Sequence, residues 1–246
     1  MSALDLHGKL ALVTGGGTRV GAAIVRALAE AGCDVVIHHA TSATGAKSVA
    51  AEVTALGREA TIVQADLTDR PQIDRLAQEA LAVSGRIDIV VHNAANFERV
   101  PPAELSAGAW DRAFALNVDA PYLLTLALEP ALRASRGCVV AITCLSAERP
   151  WKHYLPYSAS KAALANLVKG LSVALAPEVR VNAVAPGTVM PPADYEEETL
   201  ARIRERIPLS RIGEAADVAR AVVFLASNDY ITGQTITVDG GRSVVA

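Results

Sequence analysis

A tyrosine and a lysine stand four residues apart in Tyr157-Ser158-Ala159-Ser160-Lys161. On a helix, residues at this spacing lie on the same face, so the lysine ammonium would lie beside the phenol. A neighbouring cation stabilises a phenolate and lowers the tyrosine pKa from its usual value towards working pH. Such a tyrosine can donate a proton to a reacting group. The pattern therefore predicts catalytic roles for Tyr157 and Lys161.

A glycine-rich segment reads Thr14-Gly15-Gly16-Gly17-Thr18-Arg19-Val20-Gly21 and lies between an apolar run and an alanine-rich stretch. Glycines allow a tight turn and a close backbone approach to a phosphate, and a following helix offers free N–H groups. The spacing is not G-x-G-x-x-G, because position 20 is valine, and no Gly-Lys-Ser/Thr closes it as a P-loop. The segment indicates a phosphate site, with a plain strand–turn–helix corner as the alternative.

Apolar runs alternate with helical patterns along the chain. Strands are predicted at Leu10–Val13, Val35–Ile37, Thr61–Val63, Ile87–Val91, Val139–Ile142, Val179–Val184 and Thr235–Val238. Helices are predicted at Ala22–Ala31, Ala46–Leu56, Pro71–Val83, Trp110–Arg133, Tyr157–Ala176, Asp194–Ile207 and Ala215–Ala226. This order predicts an α/β chain with a Rossmann-like, doubly wound parallel sheet of about seven strands and helices on both faces. Asp194 is the expected N-cap of its helix.

Composition narrows the class of protein. The 246 residues are 51% hydrophobic and 20% charged, with a net charge of −3 and no basic stripe, so we expect one domain over residues 1–246 and no nucleic-acid partner. Cys33, Cys138 and Cys144 form no C-x-x-C pair, so we expect neither disulfides nor a metal site, and a reducing cytoplasm. Met1–Lys9 has no apolar core of a signal peptide, and no run is long enough to span a membrane.

These motifs together resemble the short-chain dehydrogenase/reductase family, whose loop reads T-G-x-x-x-G-x-G. Thr14, Gly15 and Gly21 match that loop, whereas Arg19 occupies the position of its middle glycine. An arginine there resembles the pteridine reductase branch and implies an arginine near the cofactor pyrophosphate and the pterin edge. The alternative for Arg19 is an exposed residue in the first helical turn. The resemblance covers nearly the whole chain, up to Asp239-Gly240-Gly241 after the last strand.

The end of the second predicted strand bears on the choice of nicotinamide cofactor. NAD sites usually place an acid there to hold the ribose 2′-OH. This chain has His38-His39-Ala40-Thr41-Ser42 instead, so no carboxylate would repel a 2′-phosphate, and Thr41, Ser42 and His39 could donate hydrogen bonds. We therefore expect NADPH, although no arginine lies in this segment. The alternative is that both histidines simply end a strand.

The resemblance also implies which other residues contact the dinucleotide. Asp66-Leu67 would hold the adenine edge, Asn93-Ala94-Ala95 would let the nucleotide pass close to the backbone, and Pro186-Gly187 would lie beside the nicotinamide. The full expected set is Gly15, Thr18, Arg19, Val20, His39, Thr41, Ser42, Asp66, Leu67, Asn93, Ala94, Ala95, Tyr157, Lys161, Pro186 and Gly187.

Three more residues concern the catalytic group. Asn117 matches the family's helix asparagine that supports a proton-relay water. Cys144 stands where the family has a serine that hydrogen-bonds the substrate carbonyl and where pteridine reductases carry an aspartate. A thiol is a weak donor, so the role of Cys144 is open. Ser146 would point to the same side as Cys144 in an extended chain and could substitute for it.

The expected substrate follows from Phe97 and Arg19. In the resembled pteridine reductases, a phenylalanine at the position of Phe97 sandwiches the pterin ring against the nicotinamide, and stacking of this kind is physically reasonable. We expect hydride transfer from NADPH to a pterin or dihydrofolate-like molecule, with Trp151, His153 and Tyr154 as further candidates for the pocket wall. The alternatives are a carbonyl or 3-oxoacyl reductase and a non-catalytic NADP(H)-sensing protein. By analogy we expect a lid near residues 188–210 and a homotetramer or homodimer.

Overall fold

The computed structural model describes residues 4–191 and 195–245. Seven parallel strands form one sheet in the order β3-β2-β1-β4-β5-β6-β7. The strands are β1 Leu10–Val13, β2 Asp34–His39, β3 Ala60–Gln64, β4 Ile89–His92, β5 Cys138–Ile142, β6 Arg180–Pro186 and β7 Thr235–Val238. The predicted Rossmann-like architecture is confirmed. The strand order reverses between β1 and β4, and this is where a doubly wound sheet opens a ligand crevice.

Helices cover both faces of the sheet. They are α1 Arg19–Glu30, α2 Ala43–Ala55, α3 Arg70–Ser84, α4 Ala107–Phe114, α5 Ala120–Ser135, α6 Leu155–Ala174, α7 Glu197–Glu205 and α8 Ala215–Ser227. Alternate residues of each strand point to opposite faces, so Ala11 and Val13 pack towards α1 and α8, whereas Leu10 and Leu12 pack towards α3, α5 and α6. The two apolar layers hold the carboxyl ends of the strands in a fixed array.

One long helix of the sequence prediction is interrupted. The stretch predicted as Trp110–Arg133 consists of α4, a π-helical turn over Ala115–Asp119 and α5. A π turn has no signature in the apolar periodicity, and such turns are frequent at functional sites. Here it contains the fully buried Asn117.

The predicted helix Asp194–Ile207 is shorter in the structure. Helix α7 covers Glu197–Glu205 with Glu196 as its N-cap residue, and the predicted cap Asp194 lies outside the described residues. Glutamates in the first turn and arginines in the last complement the helix dipole, as the sequence predicted. Among the described helices, none is both long enough and apolar enough to cross a membrane.

Candidate active site

A cavity of about 640 Å³ lies over the carboxyl ends of the strands, at the switch point between β1 and β4. One end is bounded by the glycine-rich loop and the end of β2, which we call the phosphate end. The other is bounded by Cys144, Tyr157, the aromatic residues near Phe97 and the segment Pro186–Pro191, which we call the substrate end. The cavity thus joins the two motifs that the sequence singled out.

The loop at the phosphate end is held in a conformation that requires its glycines. Gly15 has φ +64°, in the left-handed region. A Cβ on Gly21 would lie 2.1 Å from the Gly15 carbonyl oxygen, so no side chain fits at that position. Arg19 also has a left-handed φ of +51°. The resembled family has a glycine at this position, and glycine adopts such a φ without strain.

His38 fastens this loop to the sheet. The Gly15 N–H donates to His38 Nδ1 at 3.1 Å, so the imidazole proton is assigned to Nε2, which lies 3.0 Å from the Ala65 carbonyl oxygen. Burial, the largest cause, lowers the pKa of His38 from 6.5 to about 4, so the ring is neutral at pH 7. His38 therefore acts as a neutral bridge between the glycine loop and the end of β3.

Thr14 and Asn93 tie the same loop to β4. The Thr14 hydroxyl donates to the Val91 carbonyl and accepts from the N–H groups of Asn93 and Ala94, at 2.9 and 3.1 Å. The Asn93 amide donates to the carbonyl oxygens of Thr14 and Gly15, at 3.0 and 3.1 Å. The side chains of Thr14 and Asn93 thus fix the shape of this turn through hydrogen bonds within the protein.

The phosphate end carries polar side chains that fit a dinucleotide. His39 is buried and lines the cavity, and its Nδ1 has no hydrogen-bond partner among the described residues. Thr41 and Ser42 line the cavity beside it, and the N-terminus of α1 faces the same space. A buried nitrogen without a partner is costly unless a ligand or water satisfies it. Asp66 lines the cavity too, and hydrogen bonds from Thr68 lower the pKa of its carboxyl group.

Lys161 is buried behind the phenol of Tyr157. Its Nζ donates to the Ile142 carbonyl oxygen at 2.7 Å and lies 5.8 Å from the centroid of the Tyr157 ring. Burial lowers the pKa of Lys161 to about 8. The lysine is on the same helix as the tyrosine and is anchored at the end of β5, and it does not line the cavity itself.

The pKa of Tyr157 differs from the sequence expectation. Burial raises it well above 10, and the hydrogen bond with Cys144 raises it further. The expected lowering by Lys161 is wrong for this structure, because burial of the phenol is the largest cause of the shift in its pKa. Tyr157 is therefore firmly protonated at neutral pH, the state that a proton donor needs.

Asn117 supports the catalytic helix from behind. Its Oδ1 accepts from the Asn96 N–H at 2.8 Å, and its Nδ2 donates to Ser160 Oγ at 2.9 Å. Ser160 in turn donates to the Tyr157 carbonyl oxygen at 2.7 Å. The Asn117 side chain does not line the cavity. It links the π turn, the loop before Phe97 and the first turn of α6.

Cys144 lies between the end of β5 and the phenol. It lines the cavity, and its Sγ accepts from the Ser146 N–H at 3.4 Å. Ser146 does not reach the cavity: it is fully buried in a 3₁₀ turn over Leu145–Ala147, and its Oγ has no partner among the described residues. The sequence interpretation assumed an extended chain in which Ser146 could take over the role of Cys144. The chain forms a 3₁₀ turn there instead, so that interpretation is wrong.

Aromatic rings form the wall of the substrate end. Phe97 stacks on Tyr154, with centroids 4.6 Å apart and an interplanar angle of 14°. It meets Tyr157 edge-on at 4.8 Å and Trp151 edge-on at 6.2 Å. Phe97 remains 48% exposed, so one region of its surface is available to a ligand. His153 does not line the cavity, in contrast to Trp151 and Tyr154.

Comparison with known proteins settles the family. The family model described as Enoyl-(Acyl carrier protein) reductase matches residues 17–243. A 3-oxoacyl-[acyl-carrier-protein] reductase from Synechocystis sp. is 36% identical, covering 96% of this chain and 97% of that protein. A 3beta-hydroxysteroid dehydrogenase 1 from Eggerthella lenta is 32% identical, covering 98% and 95%. The crystal structure of a blue fluorescent protein from a metagenomic library, in complex with NADPH, has a TM-score of 0.90 at 34% identity, covering 97% and 99%.

The chain belongs to the short-chain dehydrogenase/reductase family. It is therefore an oxidoreductase of a family that uses NAD(P)(H). The pteridine reductase branch is not singled out by these comparisons. Members of this family share the fold and the arrangement of the site, whereas their substrates differ, so the substrate has to be argued from the cavity of this short-chain dehydrogenase/reductase.

The structure brings most predicted site residues to the one cavity. Of the sixteen residues expected at the cofactor, fifteen line it, and Lys161 lies directly behind Tyr157. Phe97 and Cys144 line it as well, whereas Asn117 and Ser146 do not. Sequence reasoning missed the bridge that His38 forms between the glycine loop and the end of β3. The direction of the His38 side chain depends on the register of the strands, which the sequence does not give. It also missed Arg242 and Tyr195, which line the substrate end of this short-chain dehydrogenase/reductase.

Proposed function

We propose that this enzyme uses NADPH to reduce a ketone or aldehyde to an alcohol. The observation that carries the proposal is the buried phenol of Tyr157, which faces the cavity in its protonated state with Lys161 behind it. A bound reduced dinucleotide supplies the hydride. Tyr157 supplies the proton to the carbonyl oxygen, so the carbonyl gains one hydride and one proton and becomes an alcohol.

The neighbours of Tyr157 prepare it for that step. After Tyr157 gives up its proton, the Lys161 ammonium stabilises the phenolate that remains. The Ile142 carbonyl fixes the ammonium, and Ser160 and Asn117 fix the helical turn that carries the phenol. Cys144 places a weak donor beside the phenol, so Tyr157 carries most of the orientation of the carbonyl oxygen.

The preference for NADPH over NADH rests on the end of β2. No carboxylate is present from His38 to Ser42, and the partnerless Nδ1 of His39 faces a cavity that Thr41 and Ser42 also line. These groups suit a 2′-phosphate, which an acid would repel. The test compares kcat/KM with NADPH and NADH in the wild type and in His39→Asp. A wild type that prefers NADH would contradict this part of the proposal.

A pterin or dihydrofolate-like substrate is the second candidate, and Phe97 is the observation that favours it. The exposed part of Phe97 could stack on a flat heterocycle. Tyr154 already occupies one face of the Phe97 ring, and Cys144 is a poor substitute for the aspartate of pteridine reductases. The relatives reported above are named for 3-oxoacyl and hydroxysteroid substrates. These observations favour carbonyl reduction over reduction of a pterin.

The deciding experiment measures NADPH oxidation with dihydrobiopterin, dihydrofolate, 3-oxoacyl thioesters and a panel of ketones and aldehydes. We expect turnover of carbonyl compounds, with the activity abolished in Tyr157→Phe. Turnover of a pterin that is lost in Phe97→Ala would instead support the second candidate. Tight NADPH binding without turnover of any of these compounds would favour a non-catalytic NADP(H)-sensing protein.

The assembly, the lid and the location are also proposals. Apolar side chains on α5 and α6 are exposed, among them Tyr122, Leu126 and Val173, and a homodimer or homotetramer would cover them. Residues 188–210 would close over the substrate as a lid, supported by Met190, Pro191 and Ile203 at the cavity. The unpaired state of all three cysteines agrees with a cytoplasmic location. Sedimentation of the purified chain would test the assembly.

A further inference from the structure

Arg242 follows the last strand in Asp239-Gly240-Gly241-Arg242, and this turn fixes its backbone. The Asp239 carboxylate accepts the N–H groups of Gly241 and Ser243, at 2.9 and 2.6 Å. Gly240 and Gly241 have φ values of +66° and +89°, which glycine adopts without strain. A 3₁₀ turn over Arg242–Val244 then leads away from the sheet.

The turn is packed tightly against the segment that follows α7. A Cβ on Gly240 would lie 2.6 Å from Cγ2 of Ile207, and a Cβ on Gly241 would lie 3.0 Å from Pro208. Ile207 is itself buried, at 2% exposure. The backbone before Arg242 therefore has little freedom, and its side chain starts from a fixed point.

The guanidinium of Arg242 is directed to the substrate end of the cavity. Arg242 lines the cavity, and the guanidinium donates to the hydroxyl of Thr188, directly after the Pro186–Gly187 turn. No carboxylate in residues 4–191 or 195–245 forms an ion pair with it. A guanidinium offers five N–H donors in a planar fork, so most of them remain available to a ligand.

The charges around Arg242 leave a local excess of positive charge. Burial is the largest cause that lowers its pKa, and the nearby cation Arg206 lowers it further. Asp239 raises it in part, although two backbone N–H groups already compensate that carboxylate. Cys144 influences the pKa of both Arg242 and Tyr157, and all three side chains line the cavity. A half-buried cation of this kind is stabilised when an anion binds to it.

We propose that Arg242 binds a carboxylate of the substrate, and hence that the substrate is an oxo acid with an apolar or aromatic body. The carbonyl group meets Tyr157, the carboxylate meets Arg242, and the body lies against Phe97, Trp151, Tyr154 and Tyr195. This inference rests on the proposed carbonyl reduction. A bidentate pair of guanidinium and carboxylate would also orient the substrate, which the weak donor of Cys144 does poorly.

A binding experiment tests the carboxylate site without any turnover. Calorimetric titration of the NADP⁺-saturated protein with benzoate and with benzamide compares an anion with its neutral counterpart. We expect benzoate to bind about tenfold more tightly, as for a charge-assisted hydrogen bond, and the ratio to fall to about one in Arg242→Gln. Arg206→Gln is the matched control, because it removes a nearby exposed cation, and it should keep most of the preference.

A turnover experiment separates this inference from the proposed function. The substrates are a series of oxo acids with increasing distance between carbonyl and carboxylate, each paired with its methyl ester. We expect at least one acid to exceed its ester in kcat/KM by about tenfold, and Arg242→Gln to remove that advantage while it still reduces the ester. Equal binding of benzoate and benzamide to the wild type, or a preference that persists in Arg242→Gln, would overturn the carboxylate site. Absence of turnover with every carbonyl compound would instead contradict carbonyl reduction.

Discussion

The phosphate end and the substrate end of the cavity are built differently. At the phosphate end, the side chains of Thr14, His38 and Asn93 form hydrogen bonds of about 3 Å with backbone groups of the loop and of the residues after β4. At the substrate end, aromatic side chains pack by ring contacts, and Phe97 is half exposed. One end is fixed by directional bonds and the other by apolar contacts, which tolerate a change of shape.

The difference explains how one fold serves many reactions. Both NAD and NADP present the same pyrophosphate, so a rigid turn followed by a helix N-terminus suits every member of the family. Substrates vary, and side chains on loops can be exchanged without disturbing the sheet. The segment after β6 connects the two ends. Arg19 of the phosphate end donates to the Met190 carbonyl, and Arg242 of the substrate end donates to the Thr188 hydroxyl.

The largest effect among these variants is expected at Lys161, behind Tyr157 at the substrate end. Lys161→Met removes the ammonium behind Tyr157 and should lower kcat by about 10²- to 10⁴-fold, the usual contribution of acid–base catalysis. Stability should change little, because replacing a desolvated charge with an apolar side chain of similar volume is often neutral. Initial rates and thermal unfolding measure both. Lys169→Met, at an exposed position of the same helix, is the control, and a Lys161→Met rate within threefold of that control would contradict the role.

The next effect concerns the rigidity of the phosphate end. The pKa of His38 is about 4 in the folded chain and 6.5 as a reference, so between these values the unfolded chain binds more protons. The free energy of unfolding should therefore fall as pH drops from 6.5 to 4, by roughly 3 kcal/mol from His38 alone. His92, whose pKa burial lowers to about 3, adds to the same trend.

Denaturant titrations between pH 7 and pH 4 measure this dependence. His38→Gln keeps a donor near Ala65 but removes the titrating ring, so its stability should decline less steeply with falling pH. The quantity to compare is the slope of the free energy of unfolding against pH, because His38→Gln also lowers stability at neutral pH. Identical slopes for the wild type and His38→Gln would show that His38 does not carry the effect.

At the substrate end, a substitution of Cys144 should raise the activity, in contrast to Lys161→Met, and by a smaller factor. Cys144→Ser replaces a weak donor with a stronger one beside Tyr157 and should raise kcat/KM for carbonyl substrates by about fivefold, the worth of one neutral hydrogen bond. Cys144→Ala has no donor and is the matched comparison. If the serine and alanine variants react equally fast, the position does not touch the carbonyl oxygen.

The sequence predicts the glycine loop and the catalytic pair better than the rest of the substrate end, for physical reasons. The glycine loop and the pair Tyr157 and Lys161 are local patterns, since a turn and a helical face each lie within a few residues. Ser146 was misjudged because the 3₁₀ turn after β5 leaves no periodic signal. Arg242 reaches the cavity only because its turn packs on Ile207, which lies 35 positions earlier in the chain. Contacts of that kind depend on tertiary packing and have no local signature.

The smallest effect compares two arginines with left-handed backbones. Arg19 has φ +51° at the glycine loop, and Arg136 has φ +49° at the C-cap of α5, where it is exposed and does not line the cavity. A left-handed backbone costs a residue other than glycine about 1 kcal/mol, so Arg136→Gly should raise the free energy of unfolding by about that amount. Arg19→Gly relieves the same strain but loses the bond to the Met190 carbonyl, so its gain should be smaller.

The two variants should differ most in cofactor binding. Arg136→Gly should leave the dissociation constant for NADPH unchanged, because the α5 C-cap does not line the cavity. Arg19→Gly should raise it several-fold, because we propose that this cation binds the pyrophosphate and because its bond to the segment at Met190 is lost. Fluorescence titration with NADPH measures this difference. If Arg19→Gly binds NADPH as tightly as Arg136→Gly, then Arg19 serves only the packing of the segment after β6, and the phosphate end depends on backbone donors alone.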